Sequence, residues 1–179
     1  MFAEVLERFA EGFGYTVGLF AVTLVAAIPL GIIVALCSIT KFKPIRWLTK
    51  AFIWVVRGTP LLLQIIVVTF IPSTVFLLAN KDLADFFGVS IVGLNFIFAA
   101  VAFIINYSAY FAEIFRGGIE GIPRGQHEAA QVLGMKRGQT FFRIILPQVV
   151  KRILAPISNE VITLVKDTSL ARVIGVTEL

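Results

Sequence analysis

A chain of 179 residues that is 58% hydrophobic and only 15% charged is too apolar for a soluble domain, in which about 45–50% is usual. Its 17 phenylalanines and long charge-free runs place it in lipid, and a net charge of +5 carried between such runs is no nucleic-acid surface. One cysteine, Cys37, excludes an internal disulfide and reads as a small apolar core residue, while no CxxC, clustered His/Cys pattern or Walker-type phosphate loop points to a bound metal or nucleotide.

The charge-free runs cover residues 12–40, 58–80 and 86–112, each longer than the ~20 residues that cross a hydrocarbon core. The expected fold is therefore all-α, a polytopic bundle in one transmembrane domain over residues 1–179. No basic region or small-residue cleavage site precedes the first run, so that span is expected to be retained. It is predicted over residues 15–39, with Pro29 and Gly31 tolerated because neighbouring helices satisfy the freed backbone groups.

A second span is predicted over residues 51–71. Arg57, in WVVRGTPLLLQ, lies near one end and reads as an arginine that snorkels to the interface. Gly58 and Pro60 mark a local break in the helix. Residues 73–94 form a connector with a short helix over residues 81–87. The third span is predicted over residues 95–115, where Asn106, Tyr110 and Glu113 fall on one helix face and Glu113 can pair with Arg116.

Charge gives the orientation. The first connector holds Lys41, Lys43, Arg46 and Lys50 without an acid, and residues 116–152 carry seven cations against Glu120 and Glu128. The N-terminal segment holds Glu4, Glu7 and Glu11 against Arg8, and the connector after the second span holds Lys81 against Asp82 and Asp85. Cationic loops stay in the cytoplasm, which places the N-terminus outside and the loop 116–152 inside.

Within that loop, Pro123 suits a first helical turn and residues 124–133 can form a short helix. Gly134 is placed to end it in a left-handed conformation. Ala129 and Ala130 leave a thin surface that another protein's groove could approach, Glu128 adds one orienting charge, and His127 reads as a surface residue. Thr140 is expected to cap a returning helix, and Pro147 to kink or break it.

The last span is predicted over residues 153–176, although Glu160, Lys166 and Asp167 interrupt its hydropathy. On a helical wheel Glu160, Asp167, Thr163, Asn159 and Lys166 gather within about 120°, and Val161, Ile162, Leu164 and Val165 take the other side. Such a face suits a watery path or a subunit interface, because a charge facing lipid at mid-depth costs at least about 2.5–3.5 kcal/mol. Glu160 and Asp167 project from one face about 10 Å apart along the axis. Together with Asn159 and Thr163 they form a candidate substrate path.

Residues 128–147 read E-A-A, three residues, G, nine residues, I-x-L-P, with Glu128, Ala129, Ala130, Gly134, Ile144, Leu146 and Pro147 at the specified positions. A chance match is on the order of 10⁻⁸ per starting point. The spacing resembles the signature loop of the membrane-spanning subunits of bacterial ABC importers. RGTPLLLQ and AYFAEIFRGGIEGIPRGQHEAA are similar to the polar amino-acid branch of that family. The resemblance implies a coupling helix, built on those seven residues, that docks in a groove of an ATPase subunit. It also implies a dimer of that ATPase, a second permease copy (identical or homologous), an extracytoplasmic solute-binding protein and a location in the bacterial inner membrane amid lipid. ATP and magnesium would be bound by the ATPase; this chain would hold no cofactor and be no enzyme itself. Permeases of this type have five core spans, the last following the equivalent of GVTEL, so four of five are expected here. The expected cargo is a polar amino acid, with arginine or another basic one favoured by the two carboxylates. A permease of the same family for methionine or peptide, or an ion-gradient-driven transporter, would be the alternatives.

Overall fold

In the computed structural model, residues 2–75, 77 and 79–174 are described, and every element among them is helical. Helix α1 spans Phe2–Ile39, α2 Lys43–Gly58, α3 Leu61–Val75, α4 Asn80–Phe87 and α5 Ile91–Glu120. Three short elements follow: α6 over Arg124–Val132, α7 over Arg137–Thr140, and a π-helical turn over Phe141–Ile145. Helix α8, Leu146–Asp167, then runs into a 3-10 segment over Thr168–Ile174. The end of the predicted last span and the GVTEL segment lie outside the described residues.

Helix α5 is the central post, with α1, α2, α3 and α8 packed around it. Its start is fixed by Ser90, whose hydroxyl accepts from the Gly93 N–H at 3.1 Å and supplies one of the missing partners of a first turn. Buried Phe103, Tyr107 and Phe111 lie along its length. Small residues let the neighbours come close. A Cβ on Gly31 of α1 would sit 2.7 Å from Phe111 Cβ, and one on Gly118 of α5 would overlap Ile153 of α8. In lipid, where apolar side chains gain little by leaving the solvent, such backbone contact is a main source of helix association.

Helix α1 between Gly12 and Ile39, and α5, are long and apolar enough to cross a membrane; α2 and α3 make a third span if the bent pair is taken as one. Residues 51–71 fall within this bent pair, and the bend lies where Gly58 and Pro60 were expected to mark a break. The helix begins earlier, at Lys43 with Pro44 in its first turn, and breaks at Thr59–Pro60, where α2 and α3 meet at 106°. Pro60 lacks an N–H and pushes the preceding residue out of the helical region, as Thr59 shows with φ −116° and ψ 140°.

Two further boundaries shift. The third span runs on to Glu120 because Arg116 bridges Glu113 and Glu120 on one face, so the first residues assigned to the loop are helical. Thr140 does not cap the returning helix. That helix starts at Arg137, with the Gln139 side chain accepting from the Lys136 N–H at 3.0 Å, and the Thr140 hydroxyl bonds back to the Lys136 carbonyl. Pro147 does not break the chain either. A π turn precedes it, in which the Leu146 N–H reaches the Phe141 carbonyl five residues back, and α8 then carries the proline in its first turn.

Candidate functional site

Two places gather the chemistry: the loop around α6 and a cavity among α2, α3, α5 and α8.

Helix α6 stands out on the surface. It ends in a paired cap, the Gly134 N–H on the Gln131 carbonyl at 2.9 Å and the Met135 N–H on the Ala130 carbonyl at 3.0 Å. That geometry needs Gly134 at φ +69°, a region costly for residues with a Cβ. Glu128 and Ala129 are exposed, and the Cβ position of Gly134 meets nothing within 4 Å. Ala130 departs from the expected thin outer surface: it is fully buried, and its carbonyl is the one that accepts the Met135 N–H of the cap. The outer surface is instead completed by Val132 and Leu133, 89% and 75% exposed, which the sequence reading passed over. Their signal was two aliphatic residues between polar neighbours at a helix end. Of the remaining loop positions, Ile144 and Leu146 are half-buried and Pro147 is exposed on the adjoining turn. His127 is exposed.

The cavity holds about 580 Å³. Glu160, Thr163 and Asp167 reach it from α8, Arg57 comes from the end of α2, and Asn106, Tyr107 and Tyr110 from α5. Asp167 accepts the Tyr107 hydroxyl at 2.7 Å. Asn159 and Lys166, which the wheel put on the same stripe, are exposed and do not line the cavity. They sit at the edge of the arc, so a small rotation of α8 turns them away. Their absence leaves two carboxylates against one guanidinium, an acidic pocket with one negative charge in excess.

The break between α2 and α3 shapes the cavity wall. Pro60 deprives the Val56 carbonyl of its usual donor, and Gln64 supplies it: its Nε2 donates to the Val56 carbonyl at 2.8 Å and to Thr59 Oγ1 at 2.8 Å. The Gln64 Oε1 accepts from Asn106 Nδ2 at 3.1 Å, which pins the repaired break to α5. RGTPLLLQ is thus one structural unit, a break and its patch. Arg57 is more than a snorkelling residue: its guanidinium lies 5.1 Å over the Tyr110 ring and 3.9 Å from Glu113. Asn106, Tyr110 and Glu113 do share a face, and it looks toward α2 and α3. Tyr107 was missed because it sits one position off that face and its partner lies 60 residues on.

The sequence profile of the family described as "Binding-protein-dependent transport system inner membrane component" matches residues 27–179. The chain belongs to that family. It is 37% identical over 168 residues to the L-cystine transport system permease protein TcyB of Bacillus subtilis, covering 94% of this chain and 66% of that protein. It is 38% identical over 165 residues to the arginine transport system permease protein ArtQ of the same organism, covering 92% and 69%. A solved structure, "Crystal structure of an amino acid ABC transporter with histidines", superposes with a TM-score of 0.79 at 32% identity, covering 99% of this chain and 77% of that one. The chain spans about two-thirds of the length of the curated relatives it matches. Their names agree with the resemblance seen in the signature loop, and the all-α membrane bundle is that of an ABC importer permease.

Proposed function

We propose that this chain is the permease subunit of an ATP-driven importer for polar amino acids, with basic amino acids, arginine first, as cargo. The observation that carries the substrate class is the cavity itself: Glu160 and Asp167 open into one space of about 580 Å³, near the middle of the size range of small-molecule sites. Every free amino acid brings an α-ammonium, and arginine or lysine brings a second cation. Two carboxylates can meet both, and the cation in excess on such a substrate balances the charge in excess on the pocket. Asp167 is positioned by the Tyr107 hydroxyl, and Glu160 lines the same cavity. Relatives named for arginine and cystine transport support the amino-acid class.

Energy would enter through α6 and its cap. Glu128, Ala129, Val132 and Leu133 form an exposed ridge ending at Gly134, and the paired cap keeps that ridge rigid enough to pass a push from a partner to α8. The partners on this reading are a dimer of ABC ATPase subunits that binds ATP and magnesium, a second permease copy or homologue, and an extracytoplasmic solute-binding protein. The N-terminus faces outward and α6 the cytoplasm, in keeping with the cationic loops.

The test is substrate selectivity in the complete transporter with Glu160→Gln and Asp167→Asn. Loss of arginine transport with ATPase coupling retained is expected. Unchanged affinity and selectivity in both variants would remove the site.

A further inference from the structure

A second cavity of about 490 Å³ lies beside that of Glu160 and Asp167, where α2 meets the last turns of α5. Lys50, Trp54 and Arg57 line it from α2, and Tyr110, Glu113 and Arg116 from α5. Its place relative to the membrane follows from α1 and α5. Gly18 lies against Phe96 and Gly31 against Phe111, so the two helices run parallel. The end of α1 at Ile39, the start of α2 and the end of α5 therefore share one membrane face, and the cavity lies toward it.

Three cations, Lys50, Arg57 and Arg116, face one acid here, Glu113. That acid is taken by Arg116, whose Nε donates to it at 3.0 Å. Arg57 stands 3.9 Å from it, beyond hydrogen-bond reach, and Lys50 makes no ion pair among the described residues. The cavity thus holds more positive charge than its own acid answers, on donors that are left over.

The rest of α2 shows what kind of anion fits. No acid interrupts the helix, and at 100° per residue Lys43, Arg46, Lys50 and Arg57 fall within about 60°. On one side of them lies the buried flank of Ile53 and Val56. On the other come Trp47 and Trp54, 74% and 78% exposed, and then the exposed aliphatics Leu48 and Val55. Cation, interfacial ring and aliphatic surface follow one another in the order in which a phospholipid presents phosphate, ester region and chain. The 106° bend turns α2 out of line with α3, an attitude that suits an amphipathic helix lying along the interface. A soluble phosphate would use the cations and leave the tryptophans and aliphatics without a contact.

We propose that this cavity binds an anionic phospholipid, with the phosphate between Lys50 and Arg57 and the first acyl carbons running past Trp54 toward Val55 and Leu48. The bound phosphate holds the Arg57 guanidinium where it stands, 5.1 Å over the Tyr110 ring, at the wall shared with the cavity of Glu160 and Asp167. The site is independent of which solute that neighbouring cavity carries.

The test places the complete transporter in phosphatidylcholine vesicles in which a rising fraction of the lipid is dibrominated phosphatidylglycerol. Trp54 emission is read as the difference between the parent and Trp54→Phe. Bromine quenches at contact, so the curve gives the preference of this site for the anionic lipid over phosphatidylcholine. The parent should prefer phosphatidylglycerol, and Lys50→Gln should lower that preference about fivefold, the weight of one basic residue near a membrane surface. Lys50→Arg should restore it, and Lys81→Gln, on α4 outside the cavity, should leave it unchanged. Equal preference in Lys50→Gln and the parent overturns the proposal. So does a loss in Lys81→Gln as large as in Lys50→Gln, which would mean attraction to net charge alone. Glycerol 3-phosphate in millimolar excess should not change the curve; if it abolishes the preference, the occupant is a soluble phosphate ester and the lipid assignment fails.

Discussion

Replacing Gln64 by leucine should destabilise the bundle through the α2–α3 break. The Val56 carbonyl, orphaned by Pro60, would keep only the Thr59 hydroxyl at 3.3 Å, and Asn106 Nδ2 would lose its acceptor. Leaving a buried polar group unpaired costs about 1–3 kcal/mol, whereas single interhelical side-chain bonds in membranes average about 0.6 and reach about 1.7 kcal/mol. A partly rescued carbonyl plus an orphaned amide gives about 2 kcal/mol, a roughly 30-fold shift in the unfolding equilibrium. Asn106→Leu removes one of these bonds and should cost about 0.6–1.7 kcal/mol. The decisive measurement is a double-mutant cycle with Pro60→Ala, which returns a backbone N–H to position 60 and makes the glutamine patch redundant for Val56. Unfolding in mixed micelles, followed by the fluorescence of Trp47 and Trp54 on α2, reads all four proteins. Gln64→Leu should lose about half its effect in the Pro60→Ala background. An equal cost in both backgrounds would refute the assignment of Gln64 as the patch for the break.

Three further outcomes are expected. Gly134→Asp should abolish uptake while insertion into the membrane persists, because it forces a side chain into φ +69° and adds a charge beside the exposed ridge; wild-type uptake and ATPase association in this variant would contradict the coupling role. Cysteines placed one at a time at positions 43, 85 and 124 in a Cys37→Ser background should be labelled by an impermeant thiol reagent in whole cells or spheroplasts only at position 85. Tyr107→Phe removes the hydroxyl that holds Asp167 and should raise the KM for a basic substrate by about tenfold, the scale of one hydrogen bond to a charged group; an unchanged KM would show that Asp167 needs no such support.

What could be read from the chain was local. Gly134 announced its left-handed turn because only the backbone within five residues decides it, and α4 is bounded by Gly88 at φ +65° for the same reason. Helices α1 and α5 overlap the charge-free runs 12–40 and 86–112, and the break between α2 and α3 falls beside Gly58 and Pro60. The size of the bend did not follow, since it depends on how Gln64 and Asn106 lock α3 against α5. That Ala130 is buried while its neighbour Ala129 is exposed did not follow either, since two adjacent alanines read alike in sequence. The carboxylates of α8 were legible from helix periodicity. What joins them in the cavity was not, because Tyr107 reaches Asp167 from 60 residues earlier and Arg57, which lines the same space, lies more than 100 residues before Glu160.

If an ATPase drives basic amino acids through the cavity of Glu160 and Asp167, proteoliposomes holding the complete transporter, with ATP supplied on the side of α6 and the binding protein on the other, should take up radiolabelled arginine. That accumulation should require hydrolysable ATP, ignore imposed ion gradients, and be competed by lysine more strongly than by glutamate. Arginine uptake that follows an ion gradient without ATP, or an ATP-driven uptake that favours an acidic amino acid, would contradict it.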